Sequence, residues 1–515
     1  MARQGSVVAG MTLLSRISGL VRDMALAYLF GASQIADMFF VALRIPNFFR
    51  RLFAEGAFNQ AFVPVMVRYR DQGHAALLAF LAPLSGIFAL AVSSFVVVGV
   101  VFAEPLAFLF APGFAGENGR LEQTGDLVRI TFPYLAFISL TAYAGAVLNA
   151  HDRFAVPAVT PVLLNLCLIG AALVALGGFV ELADVEVLAW GVLVAGVVQL
   201  LFQGPSMARL KLLPRPAVDT HHPGVRQVGR LLVPAVLAGS VGQINALVNT
   251  ILASTLMAGS ISWLYYADRL LELPVGLVAI ALGTVMLPHL SRMAADGSAQ
   301  QFRATLSWGV SLGLGLGLPA GVALFVLSEG LIATLFESIS GGAMTDFDLR
   351  MAAYALEMFA LALPAFVLVR VLSPAFYAHE NTQAPFRYAA VAVAVNLVAS
   401  LATFSWFGHV GLAWATALSA WANVLLLLRG LRLHGLYAPD RQLGLRLLKL
   451  VPGVLVLGAG LTLTAGRWDW LAMAPLERAG WMAVVTFLGI AGYAVVLALT
   501  GVRLQDLKHS SAVAD

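Results

Sequence analysis

The strongest constraint on the fold is a succession of about fourteen apolar stretches, each close to the roughly 20 residues that an α-helix needs to cross a bilayer. They lie near 6–30, 35–54, 76–103, 128–149, 157–178, 187–206, 231–258, 261–287, 305–328, 350–377, 385–406, 410–429, 447–466 and 480–501. Only 11% of the residues are charged, against roughly 25% in ordinary globular domains, which excludes a soluble fold. The sequence therefore predicts an all-α polytopic membrane protein of about 14 transmembrane helices.

The basic residues predict the orientation of these spans. Of the 31 Lys and Arg residues, 22 lie in the termini and in the loops after even-numbered spans, five lie in the opposite loops and their margins, and four lie inside spans. Because cytoplasmic loops carry an excess of Lys and Arg, both termini are expected in the cytoplasm. The net charge of +4 has the same explanation, so no nucleic-acid partner is expected.

A short motif occurs twice and indicates an internal duplication. The pattern A-H-[D/E]-x4-P begins at Ala150 and again at Ala378, 228 residues later. A second pair agrees, since Pro64 and Pro288 lie 224 residues apart, each followed four residues on by an arginine. Both motifs join or end predicted spans at equivalent places, so the first six spans and the next six form parallel repeats.

This duplication predicts two pseudo-symmetric six-helix lobes followed by a C-terminal helix pair. The predicted domains are 1–220 for spans one to six, 221–440 for spans seven to twelve, and 441–515 for the last pair and a cytoplasmic tail. Repeats that meet at the bilayer midplane are the usual construction of alternating-access transporters, which favours a transporter over a channel.

Charges inside the predicted spans indicate where such a transporter binds its substrate. The first span contains Arg16, Arg22 and Asp23, and the eighth contains Arg269 between Asp268 and Glu272. Arginine at the bilayer centre costs about 2.5–3.5 kcal/mol, so these residues need a compensating role. Guanidinium groups grip phosphate with paired hydrogen bonds, which favours an anionic, phosphorylated substrate. The alternative for Arg22 is an ion pair with Asp23 that only locks two helices together.

Three long motifs resemble the MurJ (MviN) lipid II flippases, of the MOP exporter superfamily. They are SRISGLVRD at 15–23, DMFFVA at 37–42 and PNFFRRLFAEGAF at 46–58, and two shorter segments, YYADRL at 265–270 and Arg153-Phe154 with Pro157, agree with them. The likeness extends from near the first residue to the last spans. It implies export of undecaprenyl-diphosphate-linked peptidoglycan precursor from the inner to the outer leaflet of the bacterial cytoplasmic membrane, and it implies a transporter rather than an enzyme.

The resemblance also implies roles for individual residues. Those expected to bind the diphosphate in a central cavity, with a carboxylate beside them, are Arg16, Arg22, Asp23, Arg50 and Arg269. Further cavity or motif positions, with roles left open, are Asp37, Asn47, Asp268 and Glu272. Glu55 and Arg370 match positions of a cytoplasmic gate. The polyprenyl tail would occupy an apolar groove that reaches spans thirteen and fourteen.

One departure from the family pattern concerns coupling. Some members carry a sodium site with carboxylate ligands between helices seven and eleven, whereas here 231–258 and 385–406 contain no acid, and the polar candidates are Asn245, Asn249 and Asn396. We therefore expect no metal and no cofactor. Coupling to the membrane potential is the expectation instead, since it supplies about 2.3 kcal/mol per unit charge per 100 mV.

Two other functions compete with a lipid II flippase. One is a polysaccharide-repeat flippase of the same superfamily, which would share the lobes but lack the motif at 47–58. The other is a membrane transferase acting on polyprenyl phosphates, which would need clustered acids for a metal or a catalytic base on a loop. Expected partners are lipid II, membrane lipids and candidate cell-wall synthesis enzymes, and the protein is expected to be a monomer.

Overall fold

The computed structural model describes residues 2–52, 56–116, 119–337, 342–438 and 441–501, and these residues fold into helices without a β-strand. The chain divides into two compact units, Met1–Gly259 and Ser260–Asp515. The first unit contains ten α-helices. They are α1 Ala2–Phe30, α2 Gln34–Arg50, α3 Gly56–Asp71, α4 His74–Val101, α5 Ala103–Phe110, α6 Arg120–Thr131, α7 Tyr134–Asn149, α8 Ala155–Gly177, α9 Asp184–Arg209 and α10 Pro223–Ser254.

The second unit contains seven α-helices, several of which contain proline and one of which is interrupted at a glycine. They are α11 Ser260–Ala295, α12 Ala299–Val326, α13 Ser328–Phe336, α14 Asp346–Tyr377, α15 Gln383–Leu433, α16 Arg441–Thr464 and α17 Pro475–Leu499. The 51-residue α15 breaks at Gly408, whose φ of 56° and ψ of −135° are not helical. Glycine is needed there because a side chain disfavours positive φ.

Each of the fourteen predicted spans overlaps a helix, with span four covering the end of α6 and all of α7, and the predicted all-helical membrane fold is confirmed. Spans eleven and twelve are the two parts of α15 on either side of Gly408. In the described residues, nine helical stretches are long and apolar enough to cross a membrane. Spans one, two, seven and eight fall on α1, α2, α10 and α11, outside those nine, so the count of fourteen stays a prediction. The lobe limits at 220 and 440 also stay predictions.

The repeated A-H-[D/E] motif has the same backbone geometry at both places. Asp152 and Glu380 have left-handed φ values of 59° and 58°. The histidine before each one contacts the carbonyl oxygen four residues earlier through Nδ1, at 2.8 Å for His151 and 3.0 Å for His379. The motif therefore ends α7 and α14 with the same backbone conformation and the same histidine contact, as expected of a duplicated sequence.

Four glycines spaced four residues apart let α12 pack closely against α14. Gly317 faces Pro364, whose Cα would lie 3.2 Å from an added Cβ, and a Cβ at Gly321 would lie 2.9 Å from the carbonyl oxygen of Ala360. Gly309 and Gly313 continue the stripe towards Val371 and Val367. Small residues at this spacing are typical of helix pairs in membranes, where close backbone approach replaces the hydrophobic driving force.

The C-terminal pair α16 and α17 packs on α12 and α13 of the second unit. Its core includes Trp470 and Met482, which lie against Gly330 of α13. Arg478 of α17 is fully buried there; it forms an ion pair with Glu337 and donates to the carbonyl oxygen of Trp470 at 3.1 Å. The Arg478–Glu337 ion pair thus holds α16 and α17 to the rest of the second unit, in addition to the apolar packing.

Candidate functional site

The first group of predicted site residues lies on α1, where it packs against α8. Arg22 is 7% exposed and Asp23 is fully buried. The Arg22 guanidinium donates to one oxygen of Asp23, Oδ1, from Nε at 2.9 Å and from Nη2 at 2.7 Å. The two residues therefore form a buried ion pair within one helix, so this pair does not by itself join α1 to another helix.

Asn165 of α8 completes this network and ties it to a second helix. Its Oδ1 accepts from Nη1 of Arg22 at 3.0 Å, while its Nδ2 donates to Ser18 Oγ at 2.9 Å and to the Ser15 carbonyl oxygen at 3.0 Å. Gly19 leaves room for it, since an added Cβ would lie 3.5 Å from Nδ2. Asn165 is not among the residues predicted from the sequence, where its signal is an amide in the middle of the apolar span 157–178.

The remaining arginines of the first unit differ in exposure and in partners. Arg16 of α1 and Arg50 of α2 are half-buried. Arg50 Nε donates to Asn47 Oδ1 at 3.2 Å, and Asn47 Nδ2 donates to the Leu43 carbonyl oxygen at 2.9 Å. Arg44 donates to Thr250 of α10, which joins α2 to the last helix of the unit. The motif at 46–51 therefore positions Arg50 from its own helix through Asn47.

Asp37 lies at the start of α2 and contacts a different part of the unit. It is 1% exposed, and its Oδ2 lies 3.3 Å from Nη2 of Arg120 and accepts from the backbone N–H of Gly259 at 2.7 Å. The Arg120 guanidinium also lies over the Phe114 ring, 3.8 Å from its centroid. This carboxylate therefore connects α2 with α6 and with the segment after α10.

In the second unit, Arg269 of α11 is held by residues of its own helix. Its Nη1 donates to Glu272 Oε2 at 2.8 Å and its Nη2 to the Tyr265 hydroxyl at 3.1 Å. The Arg269 side chain is 26% exposed and that of Glu272 is 43% exposed. The predicted Arg269 and Glu272 are thus brought together, and the arginine stays accessible.

Of the remaining predicted residues, Asp268 and Arg370 are exposed. Glu55, the other predicted gate residue, lies outside the described residues. Asn396 donates to Thr416 Oγ1 at 3.3 Å and accepts from Ser400 at 3.5 Å. Within the described part of the chain, no group of three or more His, Cys, Asp or Glu residues could hold a metal ion.

Comparison with known proteins decides the family. The model of the family "Lipid II flippase MurJ" matches residues 26–478. The chain belongs to the MurJ family. A probable lipid II flippase MurJ of Vibrio cholerae is 41% identical over 99% of this chain and 98% of its own length. A lipid II flippase MurJ of Burkholderia cenocepacia is 38% identical over 96% of both chains.

Solved structures agree with this assignment. A MurJ structure described as an inward closed conformation superposes with a TM-score of 0.80 and 26% identity, covering 96% of this chain and 98% of that one. A multidrug MATE transporter of the MOP superfamily in an inward-facing conformation gives a TM-score of 0.67 at 13% identity, with 84% and 98% covered, so the likeness to it concerns the fold alone. The predicted MurJ family is confirmed.

Proposed function

We propose that this MurJ protein is a lipid II flippase, a transporter rather than an enzyme, that moves the undecaprenyl-diphosphate-linked precursor from the inner to the outer leaflet. The observation that carries the proposal is family membership along nearly the whole chain, together with arginines on α1, α2 and α11, helices that coincide with predicted spans. A phosphorylated lipid provides the anionic group that those cations require. The protein then resides in the bacterial cytoplasmic membrane, with both termini in the cytoplasm.

The arginines divide the binding of the diphosphate between them. Arg16 and Arg50, which are half-buried, and Arg269, a quarter exposed, are accessible cations that contact phosphate oxygens. Arg22 contributes a guanidinium that Asp23 and Asn165 fix in advance. A preorganised donor stabilises charge without the cost of reorienting when the ligand arrives. Asp23 prevents the buried Arg22 from standing as an uncompensated charge.

Translocation proceeds by alternating access, in which the arginines receive the diphosphate from the inner leaflet and release it at the outer one. The polyprenyl tail stays in an apolar groove beside α16 and α17. Glu55 and Arg370 form the cytoplasmic gate. No carboxylate lies in 231–258 or 385–406, so the membrane potential drives the cycle. The protein acts as a monomer that hands lipid II to cell-wall synthesis enzymes.

The test is a translocation assay in proteoliposomes that contain lipid II. An added glycosyltransferase, which cannot cross the membrane, reports the lipid II that reaches the outside. Arg22→Ala and Arg269→Ala are each expected to lower the initial rate at least about tenfold, because a hydrogen bond to a charged group contributes roughly 1.5–3 kcal/mol. Arg387→Ala, which removes an exposed cation elsewhere, is the control and keeps the parent rate.

The same assay separates the alternatives. Normal translocation by folded Arg22→Ala and Arg269→Ala would overturn the arginine mechanism. Equal rates for lipid II and for another polyprenyl-diphosphate-linked sugar would favour a polysaccharide-repeat flippase. A covalent product formed from lipid II with divalent metal would favour a transferase.

A further inference from the structure

The connection between α9 and α10 contains no helix and packs against the helices of the first unit. We call residues 211–222 the strap. At one end Leu212 is 1% exposed, and it joins the core formed by α3, α4 and α7. At the other end the ring of His222 lies 5.5 Å from that of Tyr69 and 5.9 Å from that of Phe80.

The middle of the strap is hydrogen-bonded to α4. The backbone N–H of Ala217 donates to the Ala82 carbonyl oxygen at 3.1 Å. Gly86, one turn further along α4, has no side chain in the way, since an added Cβ would lie 2.0 Å from the Ala217 carbonyl oxygen. The strap therefore contacts the first unit at both ends and in the middle, so its exposed side chains have defined positions.

The strap lies near one membrane surface. The 28 residues of α4 span about 42 Å at 1.5 Å per residue, which exceeds the hydrocarbon thickness of about 30 Å. Ala82 lies in the third turn of α4, about 12 Å from its start. The strap therefore follows α4 over the depth at which headgroups give way to acyl chains. By the distribution of basic residues this is the cytoplasmic leaflet.

The outward side of the strap combines apolar side chains with unpaired cations. Leu213 is 62% exposed and Val218 is 67% exposed. Lys211 and Arg215 of the strap and Arg209 at the end of α9 are exposed, and within the described part of the chain none of these three has an ion pair or a side-chain hydrogen bond. The single acid of 209–230 is Asp219, which accepts from the backbone N–H of His221 at 2.9 Å.

We propose that the strap binds anionic phospholipids of the cytoplasmic leaflet. The three cations contact the headgroup phosphates, while Leu213 and Val218 enter the boundary of the acyl chains. Cations next to a membrane surface attract anionic lipid by about 1 kcal/mol each, and apolar side chains beside them add burial. Such a surface selects lipid by charge and is independent of which substrate the protein transports.

The experiment uses the full chain in nanodiscs with one fluorescent label on the strap. Cys167 is the single cysteine, so Val218→Cys in a Cys167→Ser background carries the label, and Leu213→Cys provides a second site. The discs contain one fixed mixture of phosphatidylcholine and phosphatidylglycerol, with quenching brominated chains on one lipid or on the other. Quenching per brominated lipid molecule is expected to be at least about fivefold greater for phosphatidylglycerol than for phosphatidylcholine. This factor corresponds to about 1 kcal/mol.

The charge variants decide the result. Arg209→Gln/Lys211→Gln/Arg215→Gln is expected to bring the ratio of the two quenching values to one. Arg387→Gln/Arg429→Gln/Arg432→Gln removes the same charge from exposed positions of the second unit and keeps the parent ratio. A ratio of one in the parent protein at both label sites, or an equal fall in the control variant, would overturn the proposal.

Discussion

The two units hold their motif arginines in opposite ways. In the first unit Arg22 is 7% exposed and is bonded to its own helix through Asp23 and to α8 through Asn165. In the second unit Arg269 has a 26% exposed side chain and donates to Glu272 and Tyr265, one turn away on α11. The first arrangement depends on tertiary packing, and the second forms within a single helix.

This difference separates the contribution that a membrane arginine makes to stability from the contribution that it makes to substrate binding. Removing one partner of a buried ion pair leaves an uncompensated charge and costs about 3–5 kcal/mol, whereas an exposed pair contributes about 0–1 kcal/mol. We therefore expect the partners of Arg22 to determine the stability of the first unit. The partner of Arg269 should matter little for stability, although we propose that Arg269 itself contacts the substrate.

Replacing Asp23 is expected to have the largest effect. Asp23→Asn removes the carboxylate that accepts two bonds from Arg22, so the free energy of unfolding should fall by about 3–5 kcal/mol. Denaturation in detergent micelles, followed by circular dichroism, measures this loss. A change of less than about 1 kcal/mol, as for a surface pair, would contradict the buried pair.

A double variant separates stability from transport at the same place. Arg22→Met/Asp23→Leu removes both charges, and replacing a buried pair with apolar residues is often neutral for stability. We expect it to recover most of the unfolding free energy lost in Asp23→Asn while transport stays low, because the guanidinium is absent. Recovered transport would mean that Arg22 only locks α1 to α8.

Much of this arrangement could be predicted from sequence, because the periodic signals are local. The spans follow from runs of apolar residues, Arg22 and Asp23 are adjacent in the sequence, and Arg269 and Glu272 are three residues apart, a spacing at which side chains can meet on a helix. Asn165 could not be found in this way. Its partners lie 143 to 150 residues away in the sequence, so only the packing of α8 against α1 identifies it.

Two other arginines show the same limit of prediction from sequence, because their burial depends on tertiary packing. Sorting by side of the membrane places Arg120 and Arg478 at the outer loops and their margins. The structure buries both, Arg120 at 5% exposure against Asp37 and Arg478 completely against Glu337. A sequence indicates which side of a membrane a residue is on, but it does not indicate which short segments fold back onto a helix end.

Asn165→Leu is expected to have an intermediate effect. It removes an acceptor from Arg22 and two donors, to Ser18 and to the Ser15 carbonyl oxygen. Losing a hydrogen bond to a charged group costs about 1.5–3 kcal/mol, and the unfolding free energy should fall by that amount. Leu166→Ala, at a 54% exposed position of the same helix, is the control and should change it by less than about 0.5 kcal/mol. Equal losses in both variants would place the effect in α8 rather than in the network.

The smallest effect is expected for Glu272→Gln. The Arg269–Glu272 pair is partly exposed and lies within one helix turn, so the free energy of unfolding should change by less than about 1 kcal/mol. Transport should not fall, since an uncharged neighbour leaves the Arg269 guanidinium at least as attractive to a diphosphate. The measurements are detergent denaturation and the proteoliposome rate, with Tyr265→Phe as the matched change at the other partner. A loss of stability as large as that of Asp23→Asn would mean that Arg269 is also held by tertiary packing, and the contrast between the two units would not hold.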